Sequence, residues 1–581
     1  MIIYIFTWDL DYYFSAFDNL IEYFKQKYEN VFIFKKNNYT LTYDKIEKDL
    51  LKNEEIIAIE LFAEIDLKVW EYKNIKKLLI HDDIHGCDSG EYACGSKLNY
   101  INYINKYDYY LGTYSYLFRD ILFKNCKTSI YQLYHHYNKK YQGPNINIDD
   151  KINKLLIVGT ITHDYKLREI LFNYENMFLE KCSTTNKKLT QYEFYNKINQ
   201  YLYVFTDGPI NDKYKWRKYL VSKFFEIIFN KSVLVTTKNM IPELEKLGLY
   251  ENLHFLTIDI NNIESSIEYI KSIDKDNASQ IIENAYKVIV NEHSIENRFQ
   301  LIDDILIDNF YEVNIPNYTC FKMKLNNIDT DWVSKNINNY KCWEPNVTNL
   351  MLNIVKNNNI SLFCDIGCNL GYYSLLLAPF VNNIKSFDIL YNQINNLNIS
   401  ISKNIYYNIE TNLLGIANKK DYYLINNIDI NNIGGTSLTE NLNNCIKIKT
   451  DKMDNIFTDT IIDLVKIDVE GFEINVLEGA TKLLEKNLIK RLIIELTIRY
   501  NKEGNPEYDN SKKIIEKLLE YNYKIYNIGL VEQNPDWNFS ENFYDEVKKY
   551  PIFNFSHLLT TDRPFWSKCD NNWQTNLLAE I

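Results

Sequence analysis

Short apolar runs alternate with segments of helical periodicity through the first 300 residues of the chain. The runs typical of buried strands are Ile2–Phe6, Val31–Phe34, Ile56–Ile59, Leu78–His81 and Tyr109–Gly112. Between them, segments such as Ala16–Tyr28 repeat apolar residues at the spacing of a helix. Because strands and helices alternate at this spacing, the pattern predicts a parallel α/β sheet.

A turn cluster at 141–145, Tyr-Gln-Gly-Pro-Asn, ends this alternation, and a second one follows. Its strand-like runs are Leu155–Gly159, Tyr201–Thr206, Ser232–Thr236 and His254–Ile258, and its helical segments include Trp216–Phe229 and Ser266–Phe310. A third alternation begins near residue 311, with strands at Leu362–Ile366, Ile384–Phe387, Leu464–Ile467 and Leu492–Leu496. The pattern therefore predicts domains at 1–145, 146–310 and 311–581.

Composition narrows the classes of function. The 581 residues agree with about three domains, and the net charge of −12 with interspersed signs argues against a nucleic-acid partner. No apolar stretch is long enough for a transmembrane helix, and the N-terminus has no basic segment of a signal peptide. The ten cysteines form no Cys-x-x-Cys pair, so we expect no metal site and a cytoplasmic protein.

The most informative motif is residues 362–371, Leu-Phe-Cys-Asp-Ile-Gly-Cys-Asn-Leu-Gly. A buried strand runs into Asp365 and then into a turn that contains Gly367, Asn369 and Gly371, after which a helix begins. Glycines let the backbone approach a ligand, and the helix N-terminus offers unpaired N–H groups. The spacing differs from that of dinucleotide sites and suits a nucleoside such as S-adenosylmethionine (SAM). The next strand ends in Asp388, which can accept hydrogen bonds from both ribose hydroxyls.

A second strand ends in carboxylates at 464–473, Leu-Val-Lys-Ile-Asp-Val-Glu-Gly-Phe-Glu. Here the sequence resembles the FkbM family of SAM-dependent methyltransferases, over about residues 340–535. The blocks that carry the resemblance are Trp343-Glu344-Pro345, Asn432-Ile-Gly434-Gly435-Thr-Ser-Leu438, the Lys-Ile-Asp-Val-Glu-Gly segment and Ile493-Ile-Glu495-Leu. The resemblance implies a Rossmann-like class I methyltransferase domain that methylates a hydroxyl oxygen, often on a sugar or polyketide. Phe472 is a departure, since many members carry His there.

The motifs and this resemblance together assign candidate site residues. The expected cofactor-binding residues are Glu344, Asp365, Gly367, Asn369, Gly371 and Asp388. Asp468 and Glu470 are the catalytic candidates, because strand ends face the ligand crevice and a carboxylate can take the proton of a hydroxyl. They could equally hold the acceptor or the methionyl amine of SAM. Taken singly, each acidic residue could also be a helix cap or a surface loop residue.

The second predicted half carries a weaker pattern. A strand ends in Gly159, and the next helix contains Arg168, a combination that can cradle a diphosphate. Arg217, Lys223 and Glu226 then precede another strand. This order resembles the donor half of GT-B glycosyltransferases, which implies that Glu226 holds the donor ribose or sugar. Arg217 or Lys223 would contact the diphosphate of a nucleotide sugar.

Two features oppose that assignment. The small residues and glycine expected after the glutamate are replaced by Ile227-Ile-Phe-Asn230, and the region is poor in glycine. Alternatively, Glu226 is a solvent-facing helix residue of a plain scaffold. His81, Asp82, Asp83 and His85 pose a similar choice between a metal or acceptor-base site and a polar turn. The block His293-Ser-Ile-Glu-Asn-Arg298 looks like the end of a GT-B domain.

The predicted fold is α/β, with two Rossmann-like halves of a GT-B-type glycosyltransferase followed by a Rossmann-like class I methyltransferase domain. The predicted function is SAM-dependent O-methylation of a sugar hydroxyl on a glycan acceptor, together with glycosyl transfer from a nucleotide sugar. In the alternative, residues 1–305 form a non-catalytic carbohydrate- or partner-binding module.

Overall fold

The structure is a computed structural model. It describes residues 1–7, 15–35, 40–52, 54–61, 71–81, 97–112, 126–134, 137, 142–159, 165–183, 189–208, 220–425, 433–436, 438–439, 446–499, 506–529, 539–560 and 572–581. The chain divides into two compact units, Met1–Asn309 and Phe310–Ile581.

The first unit begins with a sheet of six parallel strands in the spatial order β2-β1-β3-β4-β5-β6. Along the chain these elements are β1 (Ile2–Thr7), α1 (Ser15–Lys27), β2 (Val31–Lys35), α2 (Thr40–Leu50), β3 (Ile56–Leu61), β4 (Ile75–His81), α3 (Lys97–Ile104), β5 (Tyr109–Gly112) and β6 (Ser129–Gln132). Every residue of β1 and β3 is buried. Strands covered on both faces need continuous apolar runs, which explains the runs in the sequence.

The second sheet of this unit has five parallel strands in the order β11-β10-β9-β7-β8. Its elements are β7 (Ile152–Gly159), α4 (Lys166–Asn173), β8 (Leu179–Ser183), α5 (Gln191–Gln200), β9 (Tyr201–Phe205), α6 (Ser222–Phe229), β10 (Val233–Thr237), α7 (Ile241–Glu245), β11 (Phe255–Ile258), α8 (Ile263–Ser272), α9 (Lys275–Glu292) and α10 (Ile295–Leu306). The strand order reverses between β7 and β9, which places a ligand crevice at their carboxyl ends.

Helix α10 returns from the second sheet to the first. Asp303 on α10 accepts hydrogen bonds from Tyr28 at 2.8 Å and from Tyr23, and it pairs with Lys27, all on or next to α1. The rings of Tyr23 and Phe299 lie 4.3 Å apart. A helix of the predicted donor half therefore packs on the predicted acceptor half.

The second unit is built on an eight-stranded sheet in the order β16-β15-β14-β21-β22-β25-β23-β24. Its strands are β12 (Tyr311–Ile315), β13 (Thr319–Met323), β14 (Leu362–Ile366), β15 (Asn383–Asp388), β16 (Ile409–Leu413), β17 (Gly415–Ile416), β18 (Asp421–Ile425), β19 (Leu438–Thr439), β20 (Ile446–Asp451), β21 (Leu464–Ile467), β22 (Arg491–Arg499), β23 (Lys524–Asn527), β24 (Pro551–Ile552) and β25 (Asn572–Glu580). The strands from β16 to β22 in this order pair in parallel, whereas β25 is antiparallel to both β22 and β23. Strands β17 to β20 form a separate small sheet, and β12 and β13 form a hairpin.

The helices of this unit connect and cover these strands. They are α11 (Trp332–Tyr340), α12 (Pro345–Asn357), α13 (Tyr372–Leu377), α14 (Tyr391–Asn404), α15 (Met453–Phe457), α16 (Glu473–Gly479), α17 (Thr481–Glu485), α18 (Pro506–Glu520), α19 (Phe543–Val547) and α20 (Phe555–Thr560). One face of the sheet, with Phe363 and Leu464, packs with residues of α12, α13 and α14; the other, with Val465 and Ile494, packs with residues of α16, α17 and α18.

The predicted α/β class is confirmed by these sheets. Each strand named in the sequence analysis is present within a few residues of its expected bounds. The helix expected at Trp216–Phe229 is described from Ser222 onwards, and the segment expected to be helical at Ser266–Phe310 contains α9, α10 and most of α8.

Candidate functional site

The second unit has a topological switch point between β14 and β21. From β14 the sheet continues on one side to β15 and β16, and on the other side to β21 and β22. Connections therefore leave β14 and β21 in opposite directions, which opens a crevice at their carboxyl ends. The glycine turn predicted from the sequence begins there, directly after β14.

The turn needs its glycines. Gly367 and Gly371 have φ values of +76° and +77°, in the left-handed region that side chains disfavour. A Cβ at Gly367 would lie well inside 3.0 Å of the backbone oxygen of Asp468. The N–H groups of Gly367 and Cys368 both donate to the carbonyl of Phe387 at 3.0 Å. The glycine at 367 therefore lets the ends of β14, β15 and β21 meet.

Asp388 lies beside this turn, as predicted. Its carboxylate accepts hydrogen bonds from the N–H of Asn369 at 2.8 Å and from the N–H of Leu390 at 2.9 Å. Burial raises the pKa of Asp388 to about 6, against the effect of these two hydrogen bonds. Asn369, at φ +50°, also accepts from the amide of Gln393 at 2.6 Å. The structure thus brings Gly367, Asn369 and Asp388 together.

Five adjacent strands each contribute one residue to a row along this edge, which we call the edge row. Phe387 on β15, Ile366 on β14, Ile467 on β21 and Ile494 on β22 are paired in register. The residues that follow them are Asp388, Gly367, Asp468 and Glu495. Glu495 is in turn opposite Asn576 on β25. Residues in register share a face of a sheet, so the polar members of the row face one region.

Lys466 supplies a positive charge within this region. Its side chain is 3% exposed, its Nζ lies 2.6 Å from Oδ2 of Asp468, and it stands 4.9 Å from the centre of the Tyr373 ring. Burial opposes its charge, but Asp468, Glu344 and Asp365 raise its pKa above the usual value. In the same way, burial opposes ionisation of Asp468, yet Lys466 and a hydrogen bond from Glu495 hold its pKa below the usual value.

The two catalytic candidates stand with a third carboxyl group. Carboxyl oxygens of Asp468, Glu470 and Glu495 lie within 4.8 Å of one another. Burial, followed by the charge of Asp468, raises the pKa of Glu495 well above its usual value. Glu470 has a φ of +52°, so the loop holds it in a disfavoured backbone conformation. In the sequence, Glu495 stands out only as part of the Ile493-Ile-Glu495-Leu motif, which assigns it no role.

Glu473 was also missed as part of the site. Its carboxylate accepts from the N–H of Val469 at 3.2 Å and from the N–H of Gly471 at 3.1 Å, and so supports the loop that carries Glu470. Burial raises the pKa of Glu473 to about 7. The available signal was a glutamate at the start of a helix that follows a glycine, which is typical of a capping carboxylate.

Glu344 and Asp365 occupy different surroundings. Glu344 accepts hydrogen bonds from Tyr373 at 2.6 Å and from Asn576 at 3.0 Å, which connects it to the edge row. Asp365 is only 1% exposed and accepts from Ser374 at 2.6 Å. Asp365 therefore supports the end of β14, and its contact with the cofactor stays a prediction.

Phe472 packs as an apolar residue. Its ring meets that of Tyr423 edge to face at 5.2 Å, in a small cluster that also contains Leu438. Asn432 and Ser437 of the matching sequence block lie outside the described residues. The position that holds His in many FkbM proteins therefore contributes to packing against the small sheet.

The first unit has its own polar cluster at the switch point between β7 and β9. Gly159 has a φ of +123° and lies against the guanidinium of Arg168. Arg168, however, is 2% exposed and forms an ion pair with Asp207 at 2.6 Å. The charge of Arg168 is thus matched by a buried carboxylate, and its contact with a diphosphate stays a prediction. Asp207 lies two residues after the end of β9 and was missed.

Lys223 and Glu226 lie one turn apart on α6, near this pair. Glu226 is 7% exposed, and burial raises its pKa while Lys223, Ser222 and Tyr195 favour its charged form. Burial lowers the pKa of Lys223. The alternative in which Glu226 faces solvent is therefore wrong. Arg217 lies outside the described residues.

The two remaining groups named from the sequence are the polar residues from His81 to His85 and the block from His293 to Arg298. His81 ends β4, whereas Asp82, Asp83 and His85 lie outside the described residues. In the terminal block, His293 is fully buried between the carbonyl of Leu247 and the guanidinium of Arg298, at 3.1 and 2.9 Å. Burial holds the pKa of His293 well below its usual value. His293, Ser294 and Arg298 of this block are therefore interior residues.

Within the described ranges, no helix is both long enough and apolar enough to cross a membrane.

A family model described as "Methyltransferase FkbM domain" matches residues 358–525. The second unit thus contains an FkbM methyltransferase domain, as the motifs predicted. The matched segment includes the glycine turn, Asp388 and the loop from Asp468 to Glu473. A comparison with curated proteins found no match.

Solved structures resemble the chain only at low similarity. A TarM variant from S. aureus, in complex with Fondaparinux, alpha-GlcNAc-glycerol and UDP, has 13% identity and a TM-score of 0.30, covering 42% of this chain and 54% of TarM. An alpha1,3-fucosyltransferase has 10% identity and a TM-score of 0.30, covering 53% of this chain and 90% of the enzyme. Trm5b from Pyrococcus abyssi has 12% identity and a TM-score of 0.24, covering 47% of this chain and 56% of Trm5b.

The chain thus spans about half the length of TarM and of Trm5b. TM-scores of this size do not establish a shared fold, so the architecture of the first unit is defined here by its own strand order. Its GT-B type stays a prediction.

Proposed function

We propose that the second unit transfers a methyl group from SAM to a hydroxyl oxygen of a sugar. The observation that carries the proposal is the position of Asp388 at the glycine turn of an FkbM domain. A carboxylate has about four acceptor positions, and the backbone amides of Asn369 and Leu390 use two of them. The remaining positions fit the two ribose hydroxyls of SAM.

When bound, SAM supplies a methyl group on a positively charged sulfur. The chain has to hold the acceptor oxygen in line with that group, and alignment alone can contribute about 7–11 kcal/mol. The proton of the hydroxyl has to leave as the new C–O bond forms. A positioned base typically adds about 10²- to 10⁴-fold in rate.

The contacts divide these tasks between the two catalytic candidates. Asp468 is ion-paired with Lys466 and hydrogen-bonded to Glu495, so it has a weak affinity for a further proton. We assign it to holding the acceptor. Glu470, on the same loop and within 4.8 Å of both carboxyl partners, is our candidate for the group that receives the proton.

Calorimetric titration with SAM tests the cofactor site. We expect Asp388→Ala to weaken binding by about 1–3 kcal/mol and Gly371→Val to abolish it. Asp459→Asn, which changes an exposed aspartate in the same unit, is the matched control and should bind normally. Unchanged affinity in both site variants would exclude this site. Mass spectrometry of glycans made with and without the enzyme then tests the sugar acceptor.

For the first unit, we propose that a nucleotide sugar binds at the switch point of the second sheet, near Lys223 and Glu226. The supporting observation is a buried carboxylate beside a lysine at the ligand edge of a parallel sheet. In the alternative function, this unit is a carbohydrate- or partner-binding module. Titration of common nucleotide sugars into the full chain and into its Glu226→Gln variant distinguishes nucleotide-sugar binding from the binding-module function. Absence of binding to the folded protein would favour the module.

A further inference from the structure

Carboxyl oxygens of Asp468 and Glu495 lie within 4.8 Å of each other in the edge row, and the two groups interact as a hydrogen-bonded pair. They follow Ile467 and Ile494, which are paired in register on the parallel strands β21 and β22. Their side chains therefore share a face of the sheet, and Glu495 is 7% exposed. Such a pair of carboxyl groups needs a proton between them, which neither residue needs alone.

Ionised carboxylates only accept hydrogen bonds, so two carboxyl groups that hydrogen-bond to each other must share one proton. The position of that proton follows from the neighbours. Nζ of Lys466 lies 2.6 Å from Asp468, which keeps Asp468 ionised. Glu495 accepts a hydrogen bond from the amide of Gln574.

The charged groups that act on Glu495 agree with this assignment. Asp468 directly after β21, Glu344 before α12 and Glu470 in the loop after β21 all disfavour a second negative charge. Lys466 lies on β21, two residues before Asp468, and is paired with it. Burial acts in the same direction as the three carboxylates.

We propose that Glu495 is a neutral carboxylic acid in the folded protein and that, by donating its proton to Asp468, it holds Asp468 in place at the SAM crevice. Glu495 is then a positioning residue and is not the base. The positioning role rests on the proposed methyltransferase function, whereas the shared proton does not.

Infrared spectroscopy of the full chain tests the proton directly, because a carboxylic acid has a C=O band that a carboxylate lacks. At pH 7.5 the difference spectrum of wild type minus Glu495→Gln should show one acid band. Glu470→Gln makes the same chemical change within the cluster and should leave that band in place. A difference spectrum that shows only a carboxylate at position 495 would overturn the proposal.

Stability gives a second measurement that needs no ligand. A folded protein that keeps the Glu495 proton binds one more proton than the unfolded chain above the usual pKa of glutamate. Across that interval, the unfolding equilibrium constant of the wild type should rise about tenfold per pH unit relative to Glu495→Gln. Parallel stability curves for the two proteins would count against a retained proton.

The amide of Glu495→Gln reproduces the shape and the donor of a neutral acid, so this variant should fold and retain methyl transfer to the glycan substrate. Glu495→Ala lacks this hydrogen-bond donor and should lose most of the methyl-transfer activity. Misfolding of Glu495→Gln, or equal losses in both variants, would contradict the positioning role. If the wild type transfers no methyl group, the proposed function fails, while the infrared result still decides the shared proton.

Discussion

Acidification should weaken the binding of the adenosyl ligand through Asp388. The ionised carboxylate of this residue orders the turn through Asn369 and Leu390, at 2.8 and 2.9 Å, and is the group that we expect to accept the ribose hydroxyls. Its pKa of about 6 lies within a range in which the protein can be studied. A protonated carboxyl group has lost acceptor capacity and carries no charge, so the affinity should fall as the pH falls through about 6.

The size of the effect follows from the fraction of ionised Asp388. With a pKa of about 6, roughly 97% of the group is ionised at pH 7.5 and roughly 9% at pH 5. If only the ionised form binds, the apparent affinity scales with that fraction and drops about tenfold, or about 1.4 kcal/mol, over this range. The loss should be nearly absent above pH 7, and below pH 5 the affinity should keep falling by about tenfold per pH unit.

Isothermal titration with S-adenosylhomocysteine at pH 5, 6 and 7.5 measures this loss at constant ionic strength. Asp388→Asn is the control, because its amide cannot ionise. The variant should bind more weakly at pH 7.5 and show little dependence on pH. Glu473, with a pKa of about 7, also titrates nearby, and Glu473→Gln should retain the step at pH 6. A wild-type affinity that is equal at pH 7.5 and pH 5 would refute the reasoning.

Three further predictions concern other parts of the chain. Gly367→Ala should abolish SAM binding and lower thermal stability, because a left-handed alanine costs about 1–2 kcal/mol even before its methyl group meets the backbone of Asp468; calorimetry measures both effects. Asp303→Ala should lower the free energy of unfolding by about 1–3 kcal/mol in denaturant titrations, because it removes the buried acceptor of the Tyr28 hydroxyl between α10 and α1. Gln300→Ala, which changes an exposed side chain, is the control on the same helix. Asp468→Asn and Glu470→Gln should both keep SAM affinity within a few-fold in titrations. Steady-state kinetics should show a larger fall in kcat for Glu470→Gln than for Asp468→Asn. Normal turnover in both variants would place the base elsewhere.

The part of the site that could be predicted is encoded locally. A strand that ends in Asp388 and a turn with Gly367 and Gly371 are visible in a few consecutive residues. Such signals depend only on the position of a residue relative to a strand end. The order of these motifs along the chain then supported the resemblance to the FkbM family. The same reasoning placed Asp468 and Glu470 on the correct edge.

The contacts that were missed join residues distant in sequence. Asn576 reaches Glu344 across 232 positions, through a strand, β25, that the apolar pattern did not predict. The partner of Arg168, Asp207, is 39 residues away, although it lies close to the end of a strand, as Asp388 does. The neutral state that we propose for Glu495 depends on strand register, which a single sequence does not reveal.

The return of α10 to α1 has a consequence for synthesis on the ribosome. Tyr23 emerges first, and its partner Asp303 follows 280 residues later. At about 5–20 residues per second, the interval is roughly 14–56 s. During this time the surface of α1 that receives Phe299 has no native cover, although the strands of the first sheet are already available. The nascent first half is therefore exposed to misassociation until α10 is made, and chaperones would have their longest opportunity to bind there.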